Sequence, residues 1–211
     1  MYLSRVEINS LNRQRLRDLS HLGAYHNWVE QSFPSEVTKD RSRKLWRLDK
    51  LQGKDYLLIM SEEKPDINKL EHYGVSGTGE VKEYNDFLDS LSAHKNYRFR
   101  ITINPIVARS SGKLSGKRGR VFPLVREEEQ LKYLLDRSES NGFSVLEEDC
   151  YVKNSNVAKL RKSGNNSIKI LKVTIEGILT ITDKEKFKNM MVMGLGKKKA
   201  YGCGLMTVIP V

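Results

Sequence analysis

The sequence predicts an α+β protein of two tandem βαββαβ units. Strand-like and helix-like periodicities follow that order through the second half of the 211 residues, and the first half is compatible with it. The length suffices for two compact halves of roughly 100 residues, each with its own core. A polar connection from Asp86 to Lys95 separates them, giving expected domains 1–88 and 95–211. This order is that of the ferredoxin-like split unit, an antiparallel sheet with two helices on one face. No internal sequence repeat supports the duplication separately.

Taken in order, Tyr2 to Ile8 alternates as a strand, and about Ser20 to Phe33 reads as a helix. Strands are expected over Lys44 to Asp49 and Tyr56 to Ser61, then a weakly helical or irregular piece from Asp66 to Tyr73. Gly74 to Gly79 leads into a strand from Glu80 to Tyr84. In the second half, strand Tyr97 to Ile103 stops before Pro105, which cannot donate to a ladder. A basic Gly/Ser loop follows from Arg109 to Arg120, then a helix from Glu127 to Asn141. Its leading glutamates suit a helix N-terminus, and Gly142 can end it through a left-handed residue. Strand Phe143 to Tyr151 precedes a Lys/Asn/Ser loop from Lys153 to Asn166 and a strand from Ile168 to Ile181. Asp183 can cap the last helix, which runs to Met193, and the chain closes with a strand from Leu205.

Charge points to an anionic partner. Lys plus Arg number 37 against 26 Asp plus Glu, a net charge of +11. Its placement is more informative than its sum. Ser90 to Arg126 and Cys150 to Ile175 contain no acidic residue, while the first stretch carries Lys113, Lys117, Arg118 and Arg120 and the second Lys159, Arg161 and Lys162. Such one-sign runs fit a polyanion footprint, nucleic acid before acidic membrane.

Other classes find little support. No segment has the apolar length to span a bilayer, and the N-terminus lacks the apolar core of a signal peptide, so a cytoplasmic protein is expected. Cys150 and Cys203 are too few for a disulfide framework or a zinc site, and His21, His26, His72 and His94 include no i, i+4 pair. No metal and no cofactor are expected. Glu127, Glu128 and Glu129 point in different directions on a helix, so they are no catalytic carboxylate pair.

His26 is the candidate proton-transfer group. It shares a helix face with Leu19, Leu22, Val29 and Phe33, where a satisfied, partly buried histidine is the bland alternative. An imidazole titrates in the range that suits proton transfer at neutral pH. RNA carries its own nucleophile, the 2′-hydroxyl beside each phosphodiester, so positioning plus one such group can suffice. Tyr25 can place a phenolic donor near the same phosphate or serve as a core aromatic; Trp28 and Trp46 read as core.

The C-terminal segment Gly194-Leu195-Gly196-Lys197-Lys198-Lys199-Ala200-Tyr201-Gly202-Cys203-Gly204 has the spacing G-x-G-x5-G-x-G. Glycines that take positive φ can present bare N–H groups to an anion, but the spacing fits neither a dinucleotide fingerprint nor a P-loop. Lying between a helix and the final strand, it reads as a close-packed element that shapes the cleft between domains, with the lysines adding positive field. Tyr201 within it can stack or hydrogen-bond.

With these residues assembled, the chain resembles the CRISPR-associated repeat-processing endoribonucleases of type I-E, the CasE group of Cascade subunits in the RAMP superfamily. The resemblance runs through Met1-Tyr2-Leu3-Ser4, Arg17-Asp18-Leu19 before His26, Phe99-Arg100 to Asn104-Pro105, Phe122-Pro123-Leu124, Glu176-Gly177-Ile178-Leu179 and the terminal glycine signature. It implies tandem ferredoxin-like domains and metal-independent cleavage of repeat RNA at the base of a stem-loop. The implied products are a 2′,3′-cyclic phosphate and a 5′-hydroxyl, with the guide RNA retained in Cascade beside its other subunits. His26 matches the family's catalytic histidine, as base or acid. A tyrosine that some relatives place three residues earlier is Gly23 here, leaving Tyr25 as the candidate for its role. Basic loops of the second domain grip the stem in relatives, which implies RNA contacts at Lys113, Lys117, Arg118, Arg120, Lys159, Arg161 and Lys162. A noncatalytic RNA-binding scaffold of the same superfamily is the alternative.

Overall fold

The computed structural model describes residues 1–35, 41–109, 120–161 and 167–211. Four strands form the first sheet: β1 (Tyr2–Glu7), β2 (Leu45–Leu51), β3 (Lys54–Ser61) and β4 (Glu80–Glu83), in the antiparallel order β2-β3-β1-β4. Gln52 and Gly53 both have positive φ (50° and 80°), the conformation that closes β2 onto β3 in a two-residue hairpin. Helices α1 (Arg13–Asp18), α2 (Leu22–Gln31) and α3 (Ile67–Leu70) belong to this half. Leu22, Trp28 and Val29 of α2 are buried with Val6, Leu57 and Ile59 of the sheet, so the apolar stripe read from the sequence is the packed face. Trp28 donates from Nε1 to the Leu70 carbonyl at 3.0 Å, which ties α2 to α3.

The chain continues through α4 (Asn85–Ser90), β5 (Asn96–Ile103), β6 (Ile106–Arg109), β7 (Arg120–Pro123), α5 (Glu127–Ser138), β8 (Phe143–Ser144), β9 (Cys150–Arg161), β10 (Ser167–Ile181), α6 (Lys184–Met193) and β11 (Met206–Pro210). The second sheet runs β11-β5-β10-β8, and β9 also pairs with β10. In both sheets the first and third strands of the unit are central and the fourth and second flank them, the ferredoxin-like order. Leu131 and Leu134 of α5 and Phe187, Met190 and Met191 of α6 are buried with Ile101, Ile103, Val173 and Ile175 of one sheet face. The expected caps are present: Asp183 accepts from the Lys186 amide at 3.1 Å, and Gly142 at φ 76° ends the helical run after α5.

The sequence reading left α1 and the antiparallel pair β6–β7 unassigned, and three further stretches differ from it. Residues of the expected loop from Lys153 onward form β9, whose register runs from Arg161 opposite Ser167 to Asn154 opposite Thr174. Val-Lys-Asn-Ser-Asn-Val-Ala-Lys shows no apolar alternation because β9 is an edge strand held by backbone pairing to β10. The expected strand Phe143 to Tyr151 is interrupted by a 3-10 turn at Glu147–Asp149. The polar connection begins as α4, where Leu88 is fully buried among the second unit's core residues.

The other face of the second sheet turns toward β2 and α2. Leu160 and Ile170 of the β9–β10 ribbon are buried with Val29, Phe33 and Trp46 of the first half. Arg47, 2% exposed, pairs with Asp49 through two bonds of 2.7 Å. It also donates to the carbonyls of Arg100 (2.7 Å) and Leu205 (3.0 Å) across the interface. A guanidinium with every arm committed fixes the two units at one mutual angle.

Candidate active site

Helix α2 positions His26 because Leu22, Trp28 and Val29 are buried against the sheet and hold the helix, with His26 at the border of that apolar stripe, as its spacing from Leu22 and Val29 requires. His26 lines a cavity of about 400 Å3 together with Gly23, Asn27, Glu30 and Arg41. Its side chain is 36% exposed, enough to meet a ligand while keeping a fixed setting. Nδ1 lies 3.9 Å from Glu30 Oε1, beyond hydrogen-bond distance. Glu30 itself sits 3.9 Å from Arg41 Nη1 and 3.7 Å from Lys44 Nζ, so its charge is shared with two cations. The ring of Tyr201 meets His26 edge-on, with centroids 5.9 Å apart and an interplanar angle of 68°.

Tyr201 reaches α2 through the glycine-rich segment, which packs against the first sheet. Gly202, at φ 76°, leaves no room for a side chain: a Cβ there would lie 2.6 Å from Trp46 Cζ3 and 2.8 Å from Lys172 Nζ. At Gly194 a Cβ would meet Leu45 Cδ2 at 2.7 Å. Gly196 and Gly204 complete the segment, and Trp46 donates from Nε1 to the Ala200 carbonyl at 3.1 Å. The Gly204 carbonyl accepts from Leu195, and its amide donates to Thr102 of β5. These groups are spent on packing and internal bonds, consistent with an element that shapes the cleft. Lys199 donates to the Met193 carbonyl at 2.7 Å, and burial, with Arg43 nearby, holds its pKa below the usual lysine value.

Tyr25 does not share His26's surroundings. Its ring stacks on Trp46 at 5.9 Å, and burial pushes its phenol pKa up. It lines a second cavity, of about 420 Å3, with His21 and Lys172. The structure thus brings Tyr201, rather than Tyr25, to the imidazole. At Gly23 the space a side chain would take is filled: a Cβ would lie 3.0 Å from His21 Nδ1 and 3.4 Å from Leu160 Cδ1.

Among the basic candidates, Lys159 and Arg161 are exposed on β9, which packs against α2, and Arg120 is exposed at the start of β7. Lys113, Lys117, Arg118 and Lys162 lie outside the described residues. A larger cavity, of about 700 Å3, is lined by Arg47, Asp49, Arg100, Tyr151 and Glu176. Its charges are mutually paired: Arg100 binds Glu176 at 2.6 Å and Tyr151 donates to the same carboxylate at 2.7 Å. Burial would raise the Glu176 pKa, but those two partners override it and hold the carboxyl below the usual range. Among the described residues no three His, Cys, Asp or Glu side chains converge as a metal site, and no helix is long and apolar enough to cross a membrane.

Sequence reasoning left the role of Tyr201 open and counted Lys172 only among the basic residues of the acid-free stretch from Cys150 to Ile175. The available signal for Lys172 was its place in the apolar run Ile168 to Ile181, in step with Ile170 and Thr174 rather than with the exposed positions.

Comparison with known proteins adds to this geometry. Residues 1–210 match a family model described as CRISPR associated protein. The chain is 26% identical to the CRISPR-associated endoribonuclease Cse3 of Thermus thermophilus, across the full length of both. To the CRISPR system Cascade subunit CasE of Escherichia coli it is 34% identical over 119 residues, 54% of this chain and 57% of the relative. Among solved structures, Thermus thermophilus Cse3 bound to an RNA representing a pre-cleavage complex superposes with a TM-score of 0.79, 24% identity and coverage of 99% and 98%. Cas6e of Escherichia coli superposes at 0.61, with 24% identity and full coverage of both chains.

Proposed function

Since the chain belongs to the CRISPR-associated protein family, whose model spans residues 1–210, we propose that it is a metal-independent endoribonuclease that cuts CRISPR repeat RNA at the base of its stem-loop. It retains the guide RNA as a Cascade subunit and works in the cytoplasm. The observation that carries the reading is His26: an accessible imidazole lining a cavity, in a chain alignable end to end with an endoribonuclease.

The chemistry needs little more than placement. The 2′-hydroxyl oxygen attacks the adjacent phosphorus and loses its proton as the bond to the 5′ oxygen breaks. A 2′,3′-cyclic phosphate remains on one fragment, and the departing oxygen takes a proton to become a 5′-hydroxyl. His26 serves as the base that accepts the first proton or the acid that supplies the second. Because the nucleophile already lies beside its target, holding it in line supplies much of the rate, with no metal-bound water required. Lys159 and Arg161 on β9 supply backbone attraction to the stem, whose A-form shape and phosphates are the readable features.

The test is cleavage of repeat RNA in EDTA by wild type and His26→Ala. The expected loss is about 10²- to 10⁴-fold, with RNA binding retained. Full activity of the mutant sinks the assignment. Tight binding by wild type with no cleavage between about pH 5 and 9 points instead to a noncatalytic scaffold, the reading that Gly23 keeps in view.

A further inference from the structure

The cleft between the units holds a polar cavity that the cleavage chemistry does not use. Its volume is about 420 Å3, and it lies between the start of α2 and the β9 edge. Two of its lining groups lack a hydrogen-bonding partner. Lys172, 9% exposed, has no hydrogen-bond acceptor or carboxylate at its ammonium among the described residues. Its neighbour is the Trp46 ring, 5.2 Å from Nζ to centroid. His21 Nδ1 is fully buried and makes no hydrogen bond.

His21 is also the N-cap residue of the ten-residue α2, and its side chain caps nothing, so the positive end of that helix is left to other partners. Among the described residues no carboxylate lines the cavity. Lys172 pairs in register with Asn156, and Thr174 with Asn154 and Thr102, so neutral hydrogen-bonding side chains stand on the same sheet face. The 700 Å3 cavity differs, since Arg47 and Arg100 there each have a carboxylate.

A lone buried ammonium is a standing cost to the fold. An anion entering the cavity removes that cost, and it meets the positive end of α2 at His21 and Leu22, which line the cavity. We infer that this cavity binds a phosphate group, with Lys172 as its counter-ion and His21 and the N-terminus of α2 as its hydrogen-bond donors. Resting on the nuclease reading above, the phosphate is one of the RNA backbone near the cut, since β9 carries Lys159 and Arg161 on one side and α2 carries His26 on the other.

Lys172→Met tests it, because it keeps the side-chain length and removes the charge. The RNA is a repeat with 2′-deoxy at the scissile nucleotide, so that binding is read without cleavage. The variant should bind about tenfold more weakly, with a salt dependence shallower by about one phosphate contact. Its melting temperature without phosphate should rise, and the increase that inorganic phosphate gives wild type should disappear. Wild-type affinity and salt slope in the variant overturn the proposal. Should Lys172→Met not fold, His21→Ala decides: weaker binding and a smaller phosphate response support the site, and no change in either overturns it. A wild type that ignores repeat RNA defeats the nuclease reading instead, and the inorganic phosphate response then decides the cavity alone.

Discussion

The ring of Tyr201 stands edge-on to the ring of His26, 5.9 Å between centroids, and joins the two ends of the chain at one site. The contact is made by ring atoms, and no hydrogen bond from the Tyr201 hydroxyl accompanies it among the described residues. Its expected task is to hold the imidazole in place. Tyr201→Phe should keep near wild-type cleavage, and Tyr201→Ala should lower kcat by about tenfold with RNA affinity unchanged. Equal losses in the two variants would instead assign the work to the hydroxyl.

The glycine-rich segment offers a paired stability test. Gly202→Ala forces a Cβ to 2.6 Å from Trp46 at a φ of 76°, whereas Gly53, also left-handed at φ 80°, has nothing within 4 Å. Overpacking plus strain should cost Gly202→Ala about 3 kcal/mol, and strain alone should cost Gly53→Ala about 1 kcal/mol. Urea unfolding of the two variants measures both. A Gly202 cost no larger than the Gly53 cost would mean that the segment yields readily.

Glu176 predicts an acid-sensitive second sheet, since its partners Arg100, Tyr151 and Lys153 lie on the strands beside it. Its folded pKa is held below the unfolded value, so its contribution is complete above about pH 5 and is lost as pH falls through the folded value. Glu176→Gln should destabilise the protein by about 2 kcal/mol at pH 7, and the difference should close as the carboxyl is protonated in acid. Denaturation midpoints at several pH values follow this directly; a difference constant with pH contradicts it.

Both thiols should be inert in the native protein. Burial pushes Cys203 up to about 11 despite Lys172 and Lys198, and it pushes Cys150 to about 11 with help from Glu147 and Asp149. At pH 8, labelling by a thiol reagent should be at least about a hundredfold slower than for free cysteine, and complete on unfolding. Fast native labelling of either residue would place it at the surface.

Salt dependence checks the RNA face. Replacing Lys159 and Arg161 together by alanine should lower affinity and reduce the slope of log K against log salt by between about one and two. An unchanged slope would remove β9 from the interface.

Much of this was legible beforehand for one reason: where one face of an element is buried, periodicity records it. The apolar spacing of Leu22, Val29 and Phe33 gave away α2 and placed His26 along its packed stripe, and alternation marked β1, β3 and β5. The failures share the complementary cause. The Lys153–Arg161 stretch of β9 draws its order from backbone bonds to β10, and the short helix α4 is fixed by burying Leu88 against a core from the other half. Neither leaves a local pattern.

By itself, then, the sequence determined the ferredoxin-like order of the main strands and helices, the basic balance and the helix that carries the candidate histidine, because each depends on local spacing or on residue counts. Only the tertiary structure decided that Tyr201 rather than Tyr25 meets His26, that Arg47 locks the units together, and that Lys172 is buried with no counter-ion among the described residues. Those relationships join residues far apart in the chain, and packing of the second sheet against α2 and β2 is what brings them within reach.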